Sequence, residues 1–287
     1  MSDSTSDNRA EPVTFASGDR RLAGTLFHPA VPPVAVVVLH CATGVPQGYY
    51  RHFAAWVADR FAAVVLTYDY RDFGQSGTGR MRAATATMVD WGVHDQSAAL
   101  DFMIARYPDL PVDVIGHSLG GQTVPFHAQG RRVRRLIAVA SGLPFWRKHP
   151  ARYMPQVIAF WFLFGPLLVA MLGYLPGKVA GLGADLPSGV YWQWRRWCMR
   201  HDYFLDDPKA PLPEMARIKA QVSLVALADD VMVPPHRVEA LRRIYPAADV
   251  QFDVLSPGDL GVSSLGHIAP FSKKMQGVWP ALVQRWA

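Results

Sequence analysis

Six short runs along the chain are apolar at almost every position. They span 34–39, 62–68, 112–115, 136–140, 222–227 and 250–255, and are rich in Val, Ile and Leu. A strand with one wet face alternates apolar and polar residues, whereas an unbroken apolar run fits a strand covered on both faces of a parallel sheet. Between the runs, 49–60, 91–106 and 235–244 carry apolar residues at helical spacing. Near the start, 13–27 is broken by Gly18-Asp19 and reads as an antiparallel hairpin at the sheet edge. Alternating units of this kind predict an α/β fold with a doubly wound, mostly parallel sheet. Chemistry in such a sheet gathers in the loops at the carboxyl ends of the strands.

The rhythm fails over residues 143–220, where no convincing strand is found. A crossover between parallel strands needs only about a dozen residues. The excess is expected to be a helical insertion into a core formed by 12–142 and 221–287, with 1–11 a polar, flexible tail. Five of the nine tryptophans lie in the insertion: Trp146, Trp161, Trp192, Trp194 and Trp197. Placed after the strand 136–140, it would stand over the carboxyl edge as a lid. Within it, 157–175 is apolar and long enough to suit a membrane span. Gly165-Pro166 divides that run, and Gly173 and Pro176 close it. Two short apolar helices joined by a bend, packed on the core and lining a cavity, are expected, with transient docking on lipid as a secondary role.

Composition narrows the picture a little. A chain of 287 residues, 50% hydrophobic, can bury one large core. The net charge of +6 is mild. The densest basic run, Arg131-Arg132-Val133-Arg134-Arg135, is expected to be a solvated loop before a strand. It lacks interleaved aromatics, so no nucleic-acid partner is expected. Cys41 and Cys198 lie too far apart in sequence to suggest a disulfide framework or a metal site. No cofactor or metal is expected. The first residues show no basic-then-apolar leader, and a cytoplasmic location is expected.

The candidate chemistry begins at Gly116-His117-Ser118-Leu119-Gly120, directly after the run 112–115. A serine on a sharp turn between strand and helix, here expected at 122–129, projects its hydroxyl, and the glycines tolerate the tight backbone. A catalytic serine then requires a downstream acid and base, each just after a strand. Asp229 and Asp230 follow the strand 222–227. Asp230 is favoured, standing four residues before Pro234 where the next helix is expected to start. His267 is the only histidine beyond His236, so it alone fills the slot for the base. Oxyanion donors are expected from the N–H of Leu119 and from the loop after 34–39, where Ala42 is chosen over Cys41 and Thr43. His40, Cys41, His117, Trp161 and Trp194 are candidates for substrate contact.

With these motifs in place, the chain resembles the α/β-hydrolase-fold serine hydrolases, in their bacterial esterase, lipase and serine-aminopeptidase-like branch. Asp69-Tyr70-Arg71-Asp72-Phe73-Gly74-Gln75-Ser76 is similar to that family's D-x-R-G-x-G-x-S loop, with Asp72 in place of a glycine. Cys41 replaces the glycine of the usual His-Gly pair. The resemblance also favours Asp230. It implies a Ser-His-Asp triad cleaving a small-molecule carboxylic ester, with an apolar acyl or alcohol group suggested by the aromatic insertion. An acyltransferase or thioesterase on the same triad, and a hydrolase-like ligand-binding protein without turnover, are the alternatives.

Overall fold

In the computed structural model, which describes residues 9–77, 79–210, 212–213 and 218–286, the apolar runs become strands of one eight-stranded sheet. The chain begins with the hairpin β1 (Ala10–Ser17) and β2 (Arg20–Phe27). It continues through β3 (Ala35–His40), α1 (Arg51–Phe61), β4 (Ala63–Tyr68), α2 (Gln96–Arg106), β5 (Val112–His117) and β6 (Val133–Val139). Then come α3 (Met154–Ile158), α4 (Gly165–Leu172), the two-residue strands β7 (Tyr174–Leu175) and β8 (Leu186–Pro187), and α5 (Ser188–Cys198). β9 (Gln221–Leu227), α6 (Pro235–Glu239), β10 (Asp249–Leu255) and α7 (Trp279–Leu282) complete it.

The strand order is β1-β2-β4-β3-β5-β6-β9-β10. Within this sheet, among the described residues, only the β1–β2 and β2–β4 pairings are antiparallel; the separate β7–β8 pair is antiparallel too. Every residue of β3, β4 and β5 is buried, which is why their sequences carry no alternation. α2 packs on β1 through Phe102 stacked on Phe15. α1 meets α7 through Phe53 and Trp56 against Trp279.

Several expectations need correction. Residues 1–8 of the expected tail lie outside the described residues, but 10 and 11 are already strand. The turn after Ser118 does not run into an α-helix over 122–129. Short 3-10 turns at Ser118–Gly121 and Val124–Phe126 take its place. Gly120, Gly121 and Pro125 each disfavour a continuous helix there. The basic run is only partly a loop. Arg134 and Arg135 stand on β6, and both pair with the buried carboxylate of Asp113 on β5.

The apolar run does not bend at Gly165-Pro166 either. One helix spans Ala151–Leu172, with a π-helical turn over Ala159–Phe164 ahead of the proline. A π-type bond from residue 166 would reach the carbonyl of Trp161, and Pro166 has no N–H to give. Arg195 Nε of α5 supplies that bond at 2.6 Å. The Tyr191 hydroxyl donates to the neighbouring Phe160 carbonyl at 3.1 Å. The helix stays continuous because α5 satisfies the carbonyl that the proline leaves open.

Candidate active site

β5 delivers Ser118 at the carboxyl edge of the sheet with φ +54°, a left-handed conformation that is costly for a residue with a Cβ. The turn closes tightly on itself. A Cβ at Gly116 would collide with the backbone of Gly120 and Gly121, and one at Gly120 would strike the carbonyl of His40. Glycine at both places is therefore a steric requirement of the turn.

Three segments far apart in sequence meet at this edge. Ser118 Oγ lies 3.0 Å from His267 Nε2. His267 Nδ1 lies 2.7 Å from Asp230 Oδ2. The other carboxylate oxygen, Asp230 Oδ1, accepts the N–H groups of Met232 and Val233 at 2.8 and 3.0 Å. Asp230 is buried and rigidly held by these bonds. This arrangement fixes the imidazole with its proton on Nδ1 and leaves Nε2 to accept from the serine hydroxyl.

The neighbouring Asp229 does something else. Its carboxylate accepts from the Ser264 hydroxyl and the N–H groups of Leu265 and Gly266. Partial burial pushes its carboxyl up, but those bonds outweigh that effect and hold it below the usual carboxylate range. Asp229 thus folds the loop that carries His267.

On the opposite side of Ser118 lies the loop after β3. The Ala42 N–H is not open to a ligand, because it donates to the Tyr50 hydroxyl at 3.0 Å. Thr43, the next residue, lines the cavity, and its N–H has no partner among the described residues. Leu119 lines the same cavity. The second donor expected at Ala42 is therefore better matched by Thr43. Tyr50 Oη also lies 2.8 Å from His117 Nδ1, and His117 Nε2 lies 2.9 Å from the carbonyl of His267. Burial, and then the nearby His267, keep the His117 imidazole well below its ordinary pKa, hence neutral. The carbonyl can only accept, so His117 carries its proton on Nε2 and takes the Tyr50 proton at Nδ1.

Ser118 and His267 open into a cavity of about 940 Å³. Trp161 and Trp194 line it. His40, Cys41 and His117 do not. His40 is fully buried beneath the turn, with Nδ1 2.6 Å from the Tyr68 hydroxyl. Cys41 points its thiol at the Tyr68 carbonyl, and burial pushes that thiol well up. His117 is held in the hydrogen-bond chain just described. The substrate contact expected of these three residues is not found, because their buried side chains turn into the core. Residues not anticipated include Tyr49, Gln122, His149 and Tyr153. Gln122 Oε1 is buried with no hydrogen-bond partner among the described residues. His149 reaches across from the insertion to the Val231 carbonyl at 2.9 Å. No spacing in the sequence announced these contacts, because each depends on how residues 143–210 settle over the sheet.

The loop similar to D-x-R-G-x-G-x-S explains its own departure. Asp72 has φ +57°, the conformation for which a glycine is the usual choice. Its carboxylate accepts the N–H groups of Thr85 and Ala86, both at 3.1 Å. Among the described residues no group of three or more His, Cys, Asp or Glu side chains could hold a metal ion.

Comparison with known proteins gives a consistent picture. The model of the alpha/beta hydrolase family matches residues 36–277. A monoacylglycerol lipase from Mycolicibacterium smegmatis is 31% identical over 122 residues, 42% of this chain. The match spans only 41% of that relative's length. Among solved structures, a soluble variant of the monoglyceride lipase of Saccharomyces cerevisiae superposes with a TM-score of 0.66 at 15% identity. It covers 96% of this chain and 93% of its own. An alpha-beta serine hydrolase homologue from Coxiella burnetii gives 0.56 at 16% identity, covering 96% and 97%.

Proposed function

The chain belongs to the alpha/beta hydrolase family, and on that premise we propose that it is a serine hydrolase of carboxylic esters, with Ser118, His267 and Asp230 as its triad. The reading rests on one observation above all. Ser118 Oγ, His267 and Asp230 form an unbroken hydrogen-bonded line that ends at a cavity open to a ligand.

The mechanism follows from the protons already assigned. His267 Nε2 takes the serine proton as Oγ attacks the ester carbonyl, and Asp230 stabilises the imidazolium that forms. The N–H groups of Leu119 and Thr43, two residues that line the cavity with Ser118, are the donors assigned to the developing oxyanion. The imidazolium returns its proton to the departing alcohol. Water then attacks the acyl-enzyme with His267 as base, and Ser118 is released.

An apolar acyl or alcohol group suits the cavity, whose walls include Val157, Phe160, Trp161, Leu168 and Leu175. The segment 143–220 supplies most of these walls and acts as the lid over a core of 12–142 and 221–287. A cytoplasmic location is part of the same proposal.

Ser118→Ala should lower hydrolysis of a short-chain nitrophenyl ester by at least about 10³-fold. The melting temperature should not fall, and labelling by a fluorophosphonate should disappear. Wild-type turnover in that variant would remove the assignment.

A further inference from the structure

The helix over Ala151–Leu172 has two sides that do not match. Its buried stripe is Val157, Trp161, Gly165 and Val169, one residue in every four. The π turn within Ala159–Phe164 has more residues per turn than an α-helix, which keeps a four-residue stripe from drifting around the axis. The outer side is apolar as well. Phe162, Leu163, Phe164, Leu167 and Met171 are 44–66% exposed. Trp192, 39% exposed, shares the Arg195 guanidinium with Phe162 and extends the patch. A soluble monomer rarely leaves so many large apolar side chains together in water.

The charges around this patch are mainly basic. Residues 143–201 contain Arg147, Lys148, Arg152, Lys178, Arg195, Arg196 and Arg200 against one carboxylate, Asp185, with Arg196 and Arg200 paired to Asp207 just beyond. Among the described residues Arg147, Lys148, Arg152 and Lys178 pair with no carboxylate. Arg195 lies over the rings of Phe162 and Trp192, at 5.4 and 6.0 Å from their centroids. Basic side chains bordering exposed aromatic and aliphatic ones match the interface of an anionic bilayer.

We propose that this face docks the protein on an anionic lipid surface, with the helix lying in the headgroup region. It does not cross the membrane, because its Val157-Trp161-Gly165-Val169 stripe is committed to the rest of the protein. Phe164 belongs to both sides of the wall. It is 57% exposed and also lines the cavity. Docking therefore sets the cavity wall against the acyl region of the lipid. The docking surface stands on this geometry; only its use in delivering substrate rests on the proposed hydrolysis.

The test is co-sedimentation of the full chain with vesicles of phosphatidylcholine alone or with roughly a third phosphatidylglycerol. Each basic side chain near an anionic surface contributes roughly five-fold to partitioning. Binding at least about ten-fold tighter to the anionic vesicles, weakened by high salt, is expected. The double variant Leu163→Asp/Leu167→Asp should lose about ten-fold or more of that binding. It should hydrolyse a dissolved short-chain ester like the wild type and melt at the same temperature. Equal binding to both vesicles, or to neither, overturns the proposal. So does a dimer in sedimentation that the double variant turns into monomer without any vesicle binding. Ser118→Ala protein should dock unchanged, so a chain that docks but hydrolyses nothing would sink the hydrolase reading alone.

Discussion

Asp229 and Asp230 are adjacent, follow the same strand, and hold different things. Asp230 faces the imidazole of His267, while Asp229 ties down the backbone on the approach to it. Asp230→Asn removes the charge that supports the imidazolium and should lower turnover by about 10⁴-fold with the fold intact. Asp229→Asn weakens three hydrogen bonds to a charged acceptor. Its cost should appear as about 1–2 kcal/mol of stability and a much smaller loss of turnover. Steady-state kinetics beside thermal melts of the two variants would separate these roles, and equal kinetic losses would contradict them. The sequence marks the pair through the strand before it and the proline after it. It does not distinguish the partners, since these come from a loop 35–37 residues further on, folded back by tertiary contacts.

At the scale of elements, the strands were legible because apolar runs leave few other ways to bury a backbone. The helical parts were less so. Gly165-Pro166 looks like a break to any rule that counts donors along one segment. The missing donor is replaced from α5, about thirty residues away in the chain. Arg195→Met should therefore cost about 1.5–3 kcal/mol, the range for a hydrogen bond to a charged group, and loosen the helix around Trp161. Arg195→Lys should restore little, because a flexible ammonium does not reproduce the guanidinium geometry. Hydrogen exchange at the amides of 159–164, with thermal melts, would check both. The turn after Ser118 taught the opposite lesson. There the motif suggested a helix, and its own glycines and proline held the chain to 3-10 turns.

Over the whole molecule, three buried imidazoles carry the pH response. Burial drives His40 and His117 well below their ordinary pKa, and it lowers His127 from 6.5 to about 4. Unfolded, each would take up a proton below about pH 6.5. The folded state refuses it, so stability is full at neutral pH and falls as the solution is acidified from 6.5 towards 4. His127 alone accounts for about 3 kcal/mol of that loss. Melting temperatures should drop across this window, and His127→Phe should make the drop shallower. A pH-independent midpoint would contradict the neutral assignment.

The hydrogen-bond chain through Tyr50 gives one of these histidines a further meaning. Ala42 N–H points to Tyr50, the Tyr50 hydroxyl points to His117, and His117 points to the carbonyl of His267. Every proton in this line is directed the same way, and reversing any one of them leaves two donors or two acceptors face to face. The loop after β3, the strand that bears the serine and the loop that bears the base are thereby joined by a polarity as well as by contact. The site has a sense of direction, and a single imidazole tautomer at residue 117 enforces it.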